Sequence, residues 1–338
     1  MSDTTVSSGI LGRTRGLLRR ALRDVVEGAS SLTSRSGLNV KPDLPDDDLA
    51  RLQQQIDASL SGRGGEASAR TNAADLGHCY LELNDTGRLR FLTLLTDEYG
   101  IEPSHLNDAM DAVRAATEDP KSYALALSKL RDDLSSPRMK LLRQFNGLEY
   151  GVKFLVDMRS DLRSLLRDHP ELAPLDAELK YLLSGWFDAG FLELRRITWG
   201  APADLLEKLI EYEAVHEIQS WTDLKNRLES DRRFYAFFHP SMHNEPLIFV
   251  EVALVKGIAD NVQTLLDETQ PIANAEDADT AIFYSISNAQ PGLSGVSFGD
   301  FLIKKVVDHL SHELPNLKTF ATLSPIPGFR RWLDRRLG

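Results

Sequence analysis

The chain has 338 residues, with 39 Lys+Arg against 50 Asp+Glu, a formal charge of −11, 42% hydrophobic and 26% charged residues. This apolar content excludes a disordered chain, and no apolar run approaches the roughly 18 residues of a membrane span, so stable membrane insertion is not expected. The acidic balance argues against nucleic acid as a partner, because neutralising phosphate takes clustered Lys and Arg. At roughly 150 residues per domain the length suits about two domains. The single cysteine, Cys79, rules out an internal disulfide and a thiolate metal cluster. A reducing, cytoplasmic setting is expected.

Residues 1–72 read as tail and linker. Within the first 23 residues Arg13, Arg15, Arg19, Arg20 and Arg23 stand against one acid, Asp3, and Ile10, Leu11, Leu17, Leu18, Leu22, Val25 and Val26 recur at near-helical spacing. The pattern predicts a short basic amphipathic helix, either a docking helix or a membrane-touching or targeting segment. Ser61 to Asn72, SGRGGEASARTN, is Gly/Ser-rich and nearly without apolar residues, which predicts a flexible linker.

Residues 73–184 predict a helical bundle. Asn84 or Asp85 caps a helix that ends near Gly100, a candidate C′ glycine. Pro103, Pro120 and Pro137 each sit where a first-turn proline opens a helix. In YGVKFLVDMRSDLRSLLRDHP, Val152, Leu155, Val156, Leu162, Leu165 and Leu166 share one face, and Pro170 ends the run. No catalytic pattern is visible in this half.

Residues 185–338 are mixed. Strands are expected at Phe191–Thr198, Phe234–His239, Pro246–Val255, Thr280–Ser287 and Leu317–Leu323, with SMHNE as a hairpin connection. Helices are expected near Pro202–Ala214, Gln219–Leu228, Gly257–Glu268, Phe301–Leu314 and Phe329–Leu337. Leaving aside the helix after the hairpin, the order β-α-α-β-β-β-α-β-α matches the first part of the GNAT acetyltransferase fold, where central strands splay and admit acyl-CoA. The fold class is therefore α+β: an all-α bundle followed by an incomplete GNAT-like domain. The strand Leu317–Leu323 would leave an open sheet edge, which favours pairing with another chain.

The segment from Gln290 to Asp300, QPGLSGVSFGD, joins a strand to a helix. Its glycines allow a tight turn in which successive amides fan around Gly295 toward an anion at the helix N-terminus. The alternative is a Gly-rich turn with Ser297 or Asp300 as an N-cap.

TAIFYSISNAQPGLSGVSFGDFLIKKVVDHLSHELPNLKTFATLSPIPGFRRWL closely resembles malonyl-CoA decarboxylase, as do HNEPLIFVEVAL, GWFDAGFLELRRITWGAP, EAVHEI and YGVKFLVDMRSDL. The resemblance runs from about residue 75 to the last residue. It implies malonyl-CoA as substrate, acetyl-CoA and CO2 as products, no metal or organic cofactor, and a helical domain often used in homo-oligomers. It puts the catalytic serine at Ser324 and the malonyl-CoA-binding stretch at Ser294, Gly295, Val296, Ser297, Phe298, Gly299 and Asp300. Ser285 matches a serine lining the site. Ser297 stands where the family carries a glutamate. The family's second catalytic residue is a histidine C-terminal to SPIPGF, and no histidine follows Ser324 here. The chain is expected to be a fragment or a truncated homologue, with a large loss of rate. An inactive acyl-CoA-binding or oligomerisation module and a GNAT acyltransferase are the rival readings.

Simpler roles are expected elsewhere. His239 and His243 read as loop histidines, and His309 and His312 as surface groups. Glu251 reads as an acid that points to the other face of the sheet or pairs structurally, with a general base as the unsupported alternative. Lys304, Lys305, Arg330, Arg331, Arg335 and Arg336 read as a solvated rim.

Overall fold

A computed structural model describes residues 38–61, 65–242, 244–298, 301–324, 326 and 328–337. The basic helix expected near the N-terminus lies outside these residues. The chain divides into two compact units.

The helical unit contains α1 (Asp46–Leu60), α2 (Gly65–Glu82), α3 (Asp85–Glu98), α4 (Pro103–Ala115), α5 (Pro120–Asp133), α6 (Pro137–Gln144), α7 (Gly151–Leu165) and α8 (Ala173–Trp186). Local chemistry sets the starts. The Asn84 side chain accepts from Gly87 N, Asp119 from Lys121 N and Ser122 N, and Ser136 from Met139 N. Pro103, Pro120 and Pro137 occupy first-turn positions, where a missing N–H costs nothing. Leu52, Ile56, Leu95, Leu155, Leu162, Leu175 and Leu179 are fully buried. Each such side chain contributes about 1.5–3 kcal/mol on leaving water. Tyr80 meets Phe91 and Phe154 edge-on, at 5.2 and 5.7 Å. Glu178 receives Arg138 through two parallel bonds of 2.9 and 3.0 Å and Ser136 Oγ at 2.6 Å, joining α6 to α8.

The expected linker is largely helix, since α2 begins at Gly65. Small residues explain the difference. Ala73 and Ala74 are fully buried where α2 packs on α1, and Gln55 donates to Asn72 across that contact. A hydropathy reading that looks for large apolar residues passes over such a face. Gly100 follows α3, but its φ is not positive, so it is no left-handed cap. Cys79 is a buried free thiol pushed up to about 12, first by burial and then by nearby carboxylates. No described helix is long and apolar enough to cross a membrane.

The sheet unit carries β1 (Glu193–Ile197), α9 (Ala203–Tyr212), α10 (Trp221–Arg227), β2 (Arg232–Phe238), β3 (Pro246–Val255), α11 (Val262–Leu266), β4 (Thr280–Asn288), α12 (Phe301–Glu313), β5 (Thr319–Thr322) and α13 (Phe329–Leu337). The five strands stand in chain order, antiparallel from β1 to β4, with β5 parallel to β4 at the edge. The expected element order is the observed one. Alternation on β2 sorts the layers. Phe234, Ala236 and Phe238 pack with Leu205, Leu209 and Leu224 of α9 and α10. The intervening Tyr235 reaches Glu313 and His309 of α12. Arg196 and Arg233 bind Glu313 at 2.9 and 2.8 Å, fastening α12 to the sheet.

One element is shorter than expected. Of Gly257–Glu268, only Val262–Leu266 is helical. Asn261 caps late, accepting from Gln263 N, and Asp267 draws Thr269 N and Gln270 into a turn. Side chains of this kind compete with helix for backbone groups.

The segment Pro291–Val296 belongs to the helical unit. Gly292 lies so close to α7 that a Cβ there would stand 1.8 Å from Val156 O. Gly292→Ala is therefore expected to destabilise the protein by about 1–3 kcal/mol through overpacking. Urea unfolding measures the change, and a variant as stable as the parent would show that this approach does not constrain the fold.

Candidate functional site

β4 and β5 pair only over Thr280–Phe283 and Thr319–Thr322. Leu323 N still donates to Phe283 O at 2.9 Å, and there the ladder ends. At the same place β4 carries an extra residue: Val252 faces Phe283, Glu251 faces Ser285, and Tyr284 stands between. Such a bulge bends its strand and raises the local twist. Ser324 lies two residues beyond β5 and is exposed. A cavity of about 500 Å³ opens here, lined by His216, Asp260, Asn261, Val262, Gln263, Leu323 and Ser324.

His216 arrives on the turn after α9, and two buried groups hold that turn. The Glu213 carboxylate accepts from Val215 N at 2.8 Å and His216 N at 2.7 Å. It also accepts from Ser285 Oγ at 2.8 Å and Ser287 Oγ at 2.9 Å on β4. Arg227 donates to His216 O at 2.8 Å and Glu217 O at 3.1 Å. The same guanidinium binds Asp223 at 2.8 Å and approaches Glu251 at 3.3 Å. The His216 ring lies against Tyr284, with centroids 6.3 Å apart.

Glu251 is fully buried, and burial pushes its carboxyl up to about 8. Arg227 opposes that rise, while Glu213 reinforces it. Burial prevails because Arg227 makes its shorter bonds to Asp223. The Tyr284 phenol is held well above its ordinary value, by burial first and then by the Glu251 charge. Glu251 thus sits buried within reach of Arg227, one of the placements left open for it.

The loop residues fall in different places. Ser294, Gly295 and Val296 belong to the helical unit, and Ser297 and Phe298 to the sheet unit. Gly299 and Asp300 lie outside the described residues, as do Pro325, Pro327 and His243. The amides do not all fan outward. Ser294 N donates to Pro291 O at 3.1 Å and Val296 N to Leu293 O at 2.9 Å. The amides of Gly295, Ser297 and Phe298 have no partner among the described residues. The carbonyls of Gly292 and Ser294 point to Arg159, which is fully buried and paired with Asp176 at 2.9 Å. Gly295 has φ +77°, a conformation that requires glycine. Gln290 is buried and donates to Pro246 O, a structural task.

Ser285 lies beside the site without opening onto it, since its hydroxyl is buried against Glu213. The other histidines serve locally. His239 packs on Phe187 and accepts from Ser241 N, and the Nδ1 of His312 meets Asp308 O. Lys305 donates to Leu192 O and lies over the Phe301 ring, and Arg330 pairs with Asp334. Sequence reasoning passed over Glu213, His216 and Arg227. Its available signal was EAVHEI, one of the stretches that carried the family resemblance.

Residues 99–187 match the family model described as the malonyl-CoA decarboxylase N-terminal domain, and residues 190–338 the C-terminal domain. The crystal structure of malonyl-CoA decarboxylase from Rhodopseudomonas palustris is 43% identical with a TM-score of 0.79, covering 86% of this chain and 69% of that one. The chain belongs to the malonyl-CoA decarboxylase family. The family's structure from Agrobacterium vitis is also 43% identical, with a TM-score of 0.78 over 84% of this chain and 68% of that one. Mitochondrial malonyl-CoA decarboxylases of Anser anser anser and Rattus norvegicus are 40% and 37% identical over 256 and 277 residues. These matches take 73% and 79% of this chain and 51% and 56% of the relatives, so the chain spans about half their length.

The buried Glu251 of this family member gives a pH prediction. Below the ordinary value of 4.5 the acid is protonated whether folded or not. Between 4.5 and about 8 the unfolded chain ionises while the folded one keeps its proton. Stability therefore falls as pH rises through that window. Glu251→Gln is neutral throughout, so it should gain on the parent by on the order of 4 kcal/mol between pH 5 and pH 9. Urea unfolding at both pH values reads this, and a pH-independent difference would contradict it.

Proposed function

We propose that the cavity beside Ser324 takes the acyl end of malonyl-CoA and decarboxylates it to acetyl-CoA. One observation carries the reading: Ser324, the residue matching the family's catalytic serine, lines a cavity where β4 and β5 part. The bond between the α-carbon and the carboxylate breaks, and CO2 leaves. Its electron pair forms the enolate double bond, and the carbonyl pair moves to the thioester oxygen. The α-carbon then takes a proton from the Ser324 hydroxyl, which water resupplies. Positioned proton donors of this kind contribute about 10²–10⁴ in rate. Ser285 supports the site through Glu213, and Ser294 to Asp300 is read as the substrate-binding stretch. Within the sheet unit, Ser297 and Phe298 of that stretch carry amides without a partner among the described residues.

Purified protein incubated with malonyl-CoA should melt at a higher temperature and release acetyl-CoA, because a ligand of the folded state alone stabilises it. Ser324→Ala should keep the thermal shift and lose about 10²-fold or more in rate. Stabilisation without product in the parent would support the inactive acyl-CoA-binding reading, and no stabilisation would sink both.

We also infer self-association through the helical unit. No residue of α5 is buried, although Leu125 and Leu127 lie on it, and Leu125 and Tyr181 are each 72% exposed. Apolar surface of this kind marks an interaction face. Light scattering should give a mass above one chain, and Leu125→Lys should lower it. A monodisperse monomer at high concentration would count against the inference.

A further inference from the structure

His216 lines the same cavity as Ser324, and its Nε2 is buried without a hydrogen-bond partner. The surrounding groups are well satisfied: Glu213 holds the His216 amide and Arg227 its carbonyl. On that fixed backbone, a ring with one orphaned nitrogen constrains where its proton can sit. An unpartnered buried acceptor is tolerated better than an unpartnered buried N–H. A tautomer with its proton on Nδ1 leaves Nε2 as the better tolerated unpartnered acceptor. Nδ1 is not among the buried unpartnered atoms and takes no hydrogen bond among the described residues, which leaves it to the cavity.

We propose that His216 is a second catalytic group, presenting Nδ1–H to the thioester oxygen of the acyl chain beside Ser324. This rests on the decarboxylase reading given above. As the carboxylate bond breaks and negative charge reaches that oxygen, the N–H donates a hydrogen bond to it. The proton stays on Nδ1 throughout, so His216 is an electrostatic donor and neither acid nor base. A donor held in place before the charge develops is worth about 10²–10³ in rate. The Glu213 and Arg227 contacts, which fix the backbone on both sides of the ring, supply that preorganisation.

The test compares the parent chain with His216→Ala and His216→Asn. The asparagine amide places an N–H near the position of Nδ1, so it should restore at least tenfold of the roughly 10²-fold loss in kcat expected for alanine. A merely structural role predicts no such rescue. An alanine variant within twofold of the parent, or an asparagine variant no better than alanine, overturns the proposal. Histidine ¹⁵N spectra of the parent give a second reading that needs neither turnover nor a variant that folds. The His216 proton should be on Nδ1, and that resonance should move with malonyl-CoA and stay unmoved with CoA alone. A proton on Nε2, or a resonance indifferent to malonyl-CoA, overturns the proposal while leaving the decarboxylase reading intact. A parent that binds neither CoA nor malonyl-CoA removes both.

Discussion

The sheet unit is organised around one buried carboxylate. Among the described residues Glu213 forms no ion pair, and its carboxyl oxygens accept from two serine hydroxyls and two amides. Those donors come from different places: Ser285 and Ser287 from β4, Val215 and His216 from the turn after α9. The acid therefore joins the end of a helix to the strand that flanks the cavity. Leaving such a group unpaired costs about 1–3 kcal/mol or more, so the turn and the strand hold position together. Arg227 extends the arrangement by gripping the carbonyls beyond His216 while pairing with Asp223.

Much of this architecture was readable in the amino-acid order. First-turn prolines and short polar caps mark helix starts by local chemistry alone, and Asn84, Asp119 and Ser136 serve as side-chain caps. Aromatic and β-branched runs mark β2, β3 and β4 because those strands are almost wholly buried. What escaped reading depends on contacts distant in sequence. The helix beginning at Gly65 buries alanines, which no hydropathy rule singles out. The role of His216 depends on a cavity assembled from three separate segments. The motif around Ser324 is continuous in sequence, whereas two of the Glu213 partners, Ser285 and Ser287, lie more than seventy residues away.

The loop between β4 and α12 is shaped by more than its glycines' freedom to turn. Its glycines were expected to bring amides to an anion. Gly292 is instead required where the backbone presses on Val156, and Arg159 collects the carbonyls of Gly292 and Ser294. A guanidinium presents donors in a rigid fork suited to two carbonyls. Two of the loop's carbonyls are thus engaged by Arg159, while the amides of Gly295, Ser297 and Phe298 keep no partner among the described residues.

The extra residue in β4 has a reach beyond its size. Along a regular strand, odd and even positions look to opposite sides. Ile282 and Tyr284 pack with Leu265 and Leu323, yet Ser285 and Ser287 satisfy Glu213 beside the very ring that Tyr284 touches. The irregularity at Tyr284 switches parity, so greasy and hydroxyl-bearing halves of one strand serve the same side. A relative without that odd residue would turn the serines to the opposite surface, whatever its percentage identity. Counting residues between Phe283 and Ser287 is thus a sharper test of shared chemistry than matching the letters themselves.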